Sequence, residues 1–384
     1  MKIHTQIAPL KDTIINTRRD FHKHPELSFK EFRTSKIVAE KLKNFGIETK
    51  KNIGKTGVVG ILKGEKNGPT IALRADMDAL PIQETNDISY KSVNKGIMHA
   101  CGHDAHTAML LGAAEALSKM RHEIKGEIRF IFQPAEEGFG GAKYMIKDGA
   151  IDNVDEIYGM HVWNYQKSGT VGVQSGPVMA AADIFTIEIN GIGGHGAAPQ
   201  GTVDSIVVAS HLIQSLQTIV SRNTNPLEST VVTVGQINGG YNFNIIADKV
   251  RLNGTARSYT NNNKTIIKKR MKEIINGVEK MYNAKIKLNY KDGYPPLIND
   301  EMASKNVSNA ATKIVGSNVI KPYLSMGGED FSYYTNKIPG CFFFLGTSPK
   351  DRPPMSTPQH CSHFDIDEEA MLIGSSIFVE LACK

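Results

Sequence analysis

The chain has 384 residues, more than one ordinary core accommodates, so two domains or one large domain with an insertion are expected. A hydrophobic share of 40% and a charged share of 22% are those of a globular protein, and no apolar run is long enough to read as a membrane span. The net charge of +6 is scattered, without a basic stripe or interleaved aromatics, which argues against nucleic-acid binding. Cys101, Cys341, Cys361 and Cys383 show no framework spacing, and the first residues lack an apolar h-region, so a reducing, cytoplasmic setting is expected.

Ile7, Leu10, Ile14 and Phe21 recur at helical spacing, and His22-Lys-His24-Pro25 closes that helix. The two histidines could be ligands, but a helix C-terminus favours cationic side chains in any case. Ile37, Leu42 and Phe45 mark a second helix, and residues 58–62 and 70–74 read as strands. The second strand delivers Asp76 and Asp78 at its end. Then comes His99-Ala-Cys101-Gly-His103-Asp104-Ala-His106, with three imidazoles, a thiol and a carboxylate in eight residues. Gly102 lets the backbone turn sharply, so that Cys101 and His103 can point at one ion, and Ala108, Met109 and Leu111 read as a helix behind them. A thiolate and an imidazole two residues apart suit a borderline-soft divalent metal. The competing reading is a loop whose histidines cap the helix and face water.

The strand at 128–132 ends in Gln133-Pro-Ala-Glu136-Glu137-Gly138, with Gly140-Gly141 opening a helix, and a short strand at 157–160 ends at His161. This alternation predicts an α/β domain with a mostly parallel sheet. Asp76, Glu136, Glu137 and His161 each fall just past the C-terminal end of a strand, the edge where open α/β sheets place their ligands. Convergence of carboxylates and imidazoles there strengthens the metal reading.

From about Ala182 the pattern changes. An alternating strand at 184–189 leads to the glycine-rich Gly191-Ile-Gly193-Gly194-His195-Gly196. A helix follows over 206–220, then strands at 230–234 and 249–256, a long helix from about Asn263 to Tyr282, and a strand near 286–288. The run Lys268-Lys269-Arg270 lies on the solvated face of the long helix. A small α+β sandwich is predicted, with two helices covering one face of a four-stranded sheet. After Gly293-Tyr-Pro295-Pro296 the α/β pattern resumes, with a buried strand at 341–345 and a helix through Met371, Ile373 and Phe378. The expected domains are 1–181 and 293–384 as one catalytic domain, interrupted by an inserted domain at 182–292.

Several stretches carry a resemblance: His24-Pro-Glu-Leu, Arg74-Ala-Asp-Met-Asp-Ala-Leu-Pro81, Met98-His-Ala-Cys-Gly-His-Asp-Ala-His106, Gln133-Pro-Ala-Glu-Glu-Gly138 and Gly159-Met-His161. To these are added Gly193-Gly-His-Gly196, Asn244-Ile-Ile-Ala-Asp248, Gly254-Thr-Ala-Arg257 and Met326-Gly-Gly-Glu-Asp-Phe331. In this order they resemble the amidohydrolase branch of the M20 metallopeptidase family, with its hippurate hydrolases, N-acyl-amino-acid amidohydrolases and plant auxin-conjugate hydrolases. The resemblance implies a catalytic domain like that of the zinc exopeptidases, a lid or dimerisation domain, and two divalent metal ions per subunit. It assigns the ligands to Cys101, His103, Glu137, His161 and His360, with Asp76 in support. Such a set exceeds a tetrahedral structural site but suits two open sites sharing a bridging thiolate. Manganese or zinc is implied, and cobalt or nickel also fits mixed thiolate, imidazole and carboxylate ligation.

By the same resemblance Glu136 is the general base, and His195 reaches the active site from the partner subunit to stabilise the oxyanion. Asn244 and Arg257 hold the substrate carboxylate, a group that arginine can grip with two hydrogen bonds. The family shows His, then Ser or Asn, then Pro ahead of an aromatic, whereas this chain has His360-Cys361-Ser362-His363-Phe364. Counting back from Phe364 selects His360, with Cys361 and His363 as chemically competent rivals. The implied activity is metal-dependent hydrolysis of hippurate-type N-acyl amino acids to a carboxylic acid and a free amino acid. The alternative is a narrow deacylase on the same scaffold, such as an N-acetyl-diaminopimelate deacetylase. A homodimer or higher homo-oligomer is implied, with neither nucleic acid nor membrane as partner.

Overall fold

The computed structural model describes residues 2–383. The first of its two units takes in the described residues up to Val178, Ile298–Leu324, and those from Asp330 onward; the second takes in Met179–Leu297 and Ser325–Glu329. The first unit begins with α1 (Lys11–Lys23), α2 (Phe32–Asn44), β1 (Glu48–Ile53), β2 (Gly57–Lys63) and β3 (Lys66–Asp76). It continues through α3 (His103–Ser118), β4 (Lys125–Gln133), α4 (Gly141–Lys147), β5 (Glu156–Lys167) and β6 (Val171–Gly172). After β7 (Gly176–Met179) come β8 (Ala181–Asn190), β9 (Gly194–His195), α5 (Ser205–Thr218), β10 (Thr230–Gly239) and β11 (Ile245–Ile246). Next are β12 (Lys249–Ser258), α6 (Asn261–Tyr282), β13 (Lys285–Tyr294) and β14 (Leu297–Asn299). The chain closes with α7 (Glu301–Val315), β15 (Val319–Ile320), α8 (Ser332–Thr335), β16 (Gly340–Ser348) and α9 (Met371–Ala382). No helix among the described residues is long and apolar enough to cross a membrane.

The first unit is built on an eight-stranded sheet in the order β1-β2-β4-β3-β5-β16-β6-β15. Its centre is parallel: β3 pairs with β4 and β5, and β5 with β16. Parallel strands are covered on both faces and read as continuous apolar runs, and every residue of β16 is buried. The flank β1-β2-β4 is antiparallel. β1, Glu-Thr-Lys-Lys-Asn-Ile, has no apolar alternation because it is an exposed edge, where charge discourages further pairing. That is why the hydrophobic pattern passes over it.

Behind the sheet, α3 is buried along almost its whole length and packs against α1 and α9. At Gly112 a Cβ would lie 2.6 Å from the Ile14 side chain, so α1 and α3 approach this closely only because a glycine stands there. Register fixes what the sheet edge presents. Asp76 lies opposite Gln133 at the ends of β3 and β4, whereas His161 lies inside β5, opposite Phe344, because β5 runs on to Lys167 instead of ending at residue 160 as expected.

In the second unit the sheet order is β10-β12-β8-β13 with every pairing antiparallel. Phe185, Ile187 and Ile189 point to one side and pack with Leu212 and Leu216 of α5 and Ile267, Met271 and Ile275 of α6. The alternating burial of β8 is that of a sheet with only one covered face. Asp204 caps α5, accepting hydrogen bonds from the Ile206 and Val207 amides, and Thr260 caps α6.

Candidate metal centre

Backbone geometry brings the donors together in the first unit. Gly102, with φ of +93°, precedes α3, and a Cβ on it would lie 2.3 Å from the Val162 side chain. Only glycine allows the turn that places Cys101 and His103 on either side of it. Beyond β4, Ala135 adopts φ of +54° and swings Glu136 and Glu137 across the sheet edge. His360 comes from the C-terminal segment. Its amide donates to the Ala100 carbonyl at 2.8 Å, and the neighbouring Gln359 donates to the Val162 carbonyl at 2.8 Å.

Cys101 Sγ lies 3.4 Å from His161 Nε2, and His360 Nε2 lies 3.1 Å from Glu137 Oε1. The ligand atoms of Cys101, His103 and His161 all fall within 4.8 Å of one another, as do those of Cys101, Glu137 and His360. Cys101 belongs to both sets. A third set joins His103, Glu136 and Glu137 within the same distance. Of the three candidates in the C-terminal segment, His360 is the one brought to the cluster. Cys361 packs partly buried against the core, and the exposed His363 faces the Ser356 carbonyl at 3.4 Å.

Asp76 and Asp78 support the donors from behind. Asp78 is buried and accepts hydrogen bonds from the Glu136 amide at 3.0 Å, the Glu137 amide at 3.1 Å and the Ser28 hydroxyl at 2.7 Å. Its Oδ1 also stands 3.3 Å from His103 Nδ1. Asp76 Oδ1 lies 2.6 Å from His106 Nδ1, while His106 Nε2 accepts the Val162 amide at 2.9 Å. The amide donor fixes the tautomer, so both His106 nitrogens are engaged and the ring serves as a clasp rather than a ligand. Arg74 is buried between Asp76, at 2.7 Å, and Asp330, at 2.9 Å.

Sequence reasoning left Asp78, His106 and Asp330 without a role. The available signals were the second carboxylate at the end of β3, the third imidazole of the octet and, for Asp330, its place in Met326-Gly-Gly-Glu-Asp-Phe331; its partners lie far away in the chain.

The electrostatics call for a cation. Burial and the carboxylates of Glu137, Glu136 and Asp76 push the Cys101 thiol well above its ordinary value, so a nearby positive charge is needed for the thiolate to form readily. Burial alone would lower His103, but Asp76, Asp78 and Glu137 outweigh it and push the ring up to about 10. A proton is thus held where several anions converge. Burial and the neighbouring His106 hold His161 well below its usual value, and its Nδ1 donates to the Val162 carbonyl at 2.6 Å, which leaves the Nε2 lone pair available. His99, wholly buried, is pushed down to about 4 by burial and is neutral.

The remaining sequence candidates lie in the second unit. His195 is exposed on β9, opposite Ile245, and the Asn244 carbonyl accepts the Gly196 amide at 2.8 Å. His195 and Asn244 line one cleft of about 700 Å³ together with Tyr241, Asn242 and Asp248. Arg257 is at the other end of β12, opposite Ala182 and Val231, and does not line that cleft.

Residues 72–384 match the model of peptidase family M20/M25/M40. The chain belongs to this family. It is 44% identical over 376 residues to an N-acetyl-L-cysteine deacetylase of Bacillus subtilis, covering 98% of this chain and 89% of that one. It is 42% identical over 378 residues to the IAA-amino acid hydrolase ILR1-like 4 of Arabidopsis thaliana, covering 97% and 86%. Among solved structures, the YXEP protein of Bacillus subtilis, a dinuclear metal binding peptidase from the M20 family, superposes with a TM-score of 0.86 at 37% identity. That match covers 98% of each chain. The protein is therefore a metal-dependent amide hydrolase, with an α/β fold shared across the family. The residues present fit a metal: the His103 ring and Oε1 of Glu137 are buried, their charged neighbours Asp78 and His360 meet them outside hydrogen-bond geometry, and the thiol, imidazoles and carboxylates described above surround them.

Proposed function

We propose that this chain hydrolyses the amide bond of N-acyl amino acids, releasing a carboxylic acid and a free amino acid, at a pair of divalent ions held by Cys101, His103, Glu137, His161 and His360. The observation that carries this reading is the membership of Cys101 in two ligand sets at once, with Glu136 set beside Glu137 and in reach of His103. When bound, such ions polarise an amide carbonyl and bring the pKa of water towards neutrality. Glu136 takes the proton from the attacking water and returns it to the leaving nitrogen. Asp78 fixes the Glu136 backbone for this task, and the Asp330 amide stands 3.4 Å from Glu136 Oε1. His195 of the partner subunit stabilises the developing oxyanion, a contribution of about 3 kcal/mol. Arg257 holds the substrate carboxylate together with Asn244 of the partner subunit, which shares one cleft with His195, and the second unit acts as lid and dimerisation domain of a cytoplasmic homodimer.

The names of the relatives support an N-acyl amino acid as the substrate class, since both describe cleavage of an acyl group from an amino acid. A flat, hippurate-type acyl group would suit the aromatic rings near His161, where the buried Trp163 lies 5.3 Å from its ring and Tyr165 stacks on Tyr323 at 5.2 Å. The deacetylase name at 44% identity favours a second reading, a narrow deacetylase. Thiolate and imidazole favour zinc, and the carboxylates accommodate manganese. Amine release by metal-stripped protein, re-supplied with manganese or zinc, is to be measured on hippurate, N-acetyl-cysteine and N-acetyl-diaminopimelate. Metal-dependent release with hippurate ranked first is expected. Release from one N-acetyl compound alone would move the protein to the deacetylase reading, and none from any would refute the substrate class.

A further inference from the structure

Arg18, on α1, is a fully buried arginine that touches none of the proposed ligands. Its Nε donates to Asp104 Oδ2 at 2.8 Å, in the first turn of α3 and one residue past His103. Its Nη1 donates to Glu368 Oε1 and to the Tyr90 hydroxyl, each at 3.1 Å, and its Nη2 stands 3.8 Å from Asp365 Oδ1. Asp365 and Glu368 belong to the segment that follows His360. Asp104 Oδ2 also meets His22 Nδ1 at 2.8 Å, and His22 Nε2 meets Glu84 Oε1 at 3.1 Å. The side chains of Arg18, His22, Glu84 and Asp104 have no solvent exposure.

A buried ion pair is a poor source of stability, because desolvation offsets the attraction, yet it can fix one geometry out of several. A guanidinium is suited to that purpose here. Its rigid fork addresses carboxylates on two segments at once, whereas an ammonium is a single point of charge on a flexible stem. The Cys101–His103 turn and the His360 segment come from distant parts of the chain. One backbone hydrogen bond joins them directly, from His360 to Ala100.

We infer that Arg18 is a positioning residue: by holding Asp104 and Glu368 at a set separation, it fixes the distance between the Cys101–His103 turn and His360, and thereby the affinity for metal. This rests on the metal reading of those ligands. His22, on the same oxygen of Asp104, acts with Arg18 and is no helix cap.

The test is a titration of metal-stripped protein with Co²⁺, followed by its visible absorption and by the thiolate-to-cobalt band that Cys101 would give. Arg18→Lys keeps the charge without the fork, and is expected to fold while binding Co²⁺ about 10-fold more weakly, the lower end of what losing a direct partner of a ligand costs. Glu368→Gln, at the outer end of the network, is expected to shift affinity in the same direction by less, and decides the matter if the Arg18 variant does not fold, provided Arg19→Met, which removes the other arginine bonded to Glu368, binds Co²⁺ like the wild type. Leu62→Ala serves as the control, because Leu62 is buried on β2 opposite Ile128, at the end of β4 remote from the centre. It is expected to lower the melting temperature and leave Co²⁺ affinity as in the wild type. The inference is overturned if the Arg18 and Glu368 variants bind Co²⁺ like the wild type, or if Leu62→Ala weakens binding in proportion to its lost stability. Wild-type protein that binds Co²⁺ but releases no amine from any N-acyl amino acid would refute the activity and leave Arg18's role intact.

Discussion

Asp78→Asn is the sharpest single perturbation of the centre that leaves every proposed ligand in place. The carboxylate has two oxygens with four neighbours: the amides of Glu136 and Glu137, the Ser28 hydroxyl and the His103 ring. Asparagine keeps one accepting oxygen. If that oxygen serves Glu136 and His103, the new amide group confronts the Glu137 N–H, donor against donor. The Ser28 hydroxyl can turn and accept, but the Glu137 amide is left without an acceptor. Loss of one charge-assisted hydrogen bond costs about 1.5–3 kcal/mol. Weakening of the others from charge-assisted to neutral adds roughly 1 kcal/mol. The variant is therefore expected to lose about 3 kcal/mol of stability in its metal-free form, read by urea unfolding. It is also expected to bind manganese or zinc about 10- to 100-fold more weakly, read by calorimetry, since the His103 and Glu137 positions both loosen. An Asp78→Asn protein with wild-type unfolding and wild-type metal affinity would refute the role given to this carboxylate.

Glu31 is buried and accepts hydrogen bonds from the Phe29 and Ala135 amides and the Thr56 hydroxyl, the Ala135 bond anchoring the turn that carries Glu136. Burial, opposed by the Thr56 hydroxyl and reinforced by Asp78, pushes its carboxyl from 4.5 up to about 7. The folded form then binds more protons than the unfolded one between those values, so the metal-free protein should lose up to roughly 3 kcal/mol of stability from this group as pH rises from 4.5 to 7. Glu31→Gln should flatten that slope, and unfolding curves with the same pH dependence in both proteins would contradict it. Arg257→Met is expected to raise KM with little change in kcat, lowering kcat/KM by about 10- to 100-fold. Unchanged KM for a substrate with a free carboxylate would remove Arg257 from the binding site.

How much of this was legible in the sequence depends on whether the cause was local. The buried Phe342-Phe343-Phe344 of β16 and the alternation of β8 announced a covered parallel strand and a half-covered antiparallel one, because burial pattern follows directly from neighbours along the chain. The octet around Cys101 was legible for the same reason, its ligand types lying within one turn. β1 was not, since a charged edge strand carries no apolar period and is held by its pairing with β2. Nor were Asp78, His106 and Arg18, whose roles are defined by Glu136, Val162 and Glu368, far away in sequence. An arginine beside a histidine near a helix end reads as solvated charge until the fold closes over it.

The proposed division of labour, in which Glu136 moves the proton while its neighbours hold the metal, is decided by Glu136→Gln, with bound metal and amine release measured in one sample. Full manganese or zinc content is expected, together with turnover lowered by at least about 100-fold, the scale of lost general acid–base catalysis. Turnover near that of the wild type, with the metal still in place, would rule out Glu136 as the proton carrier.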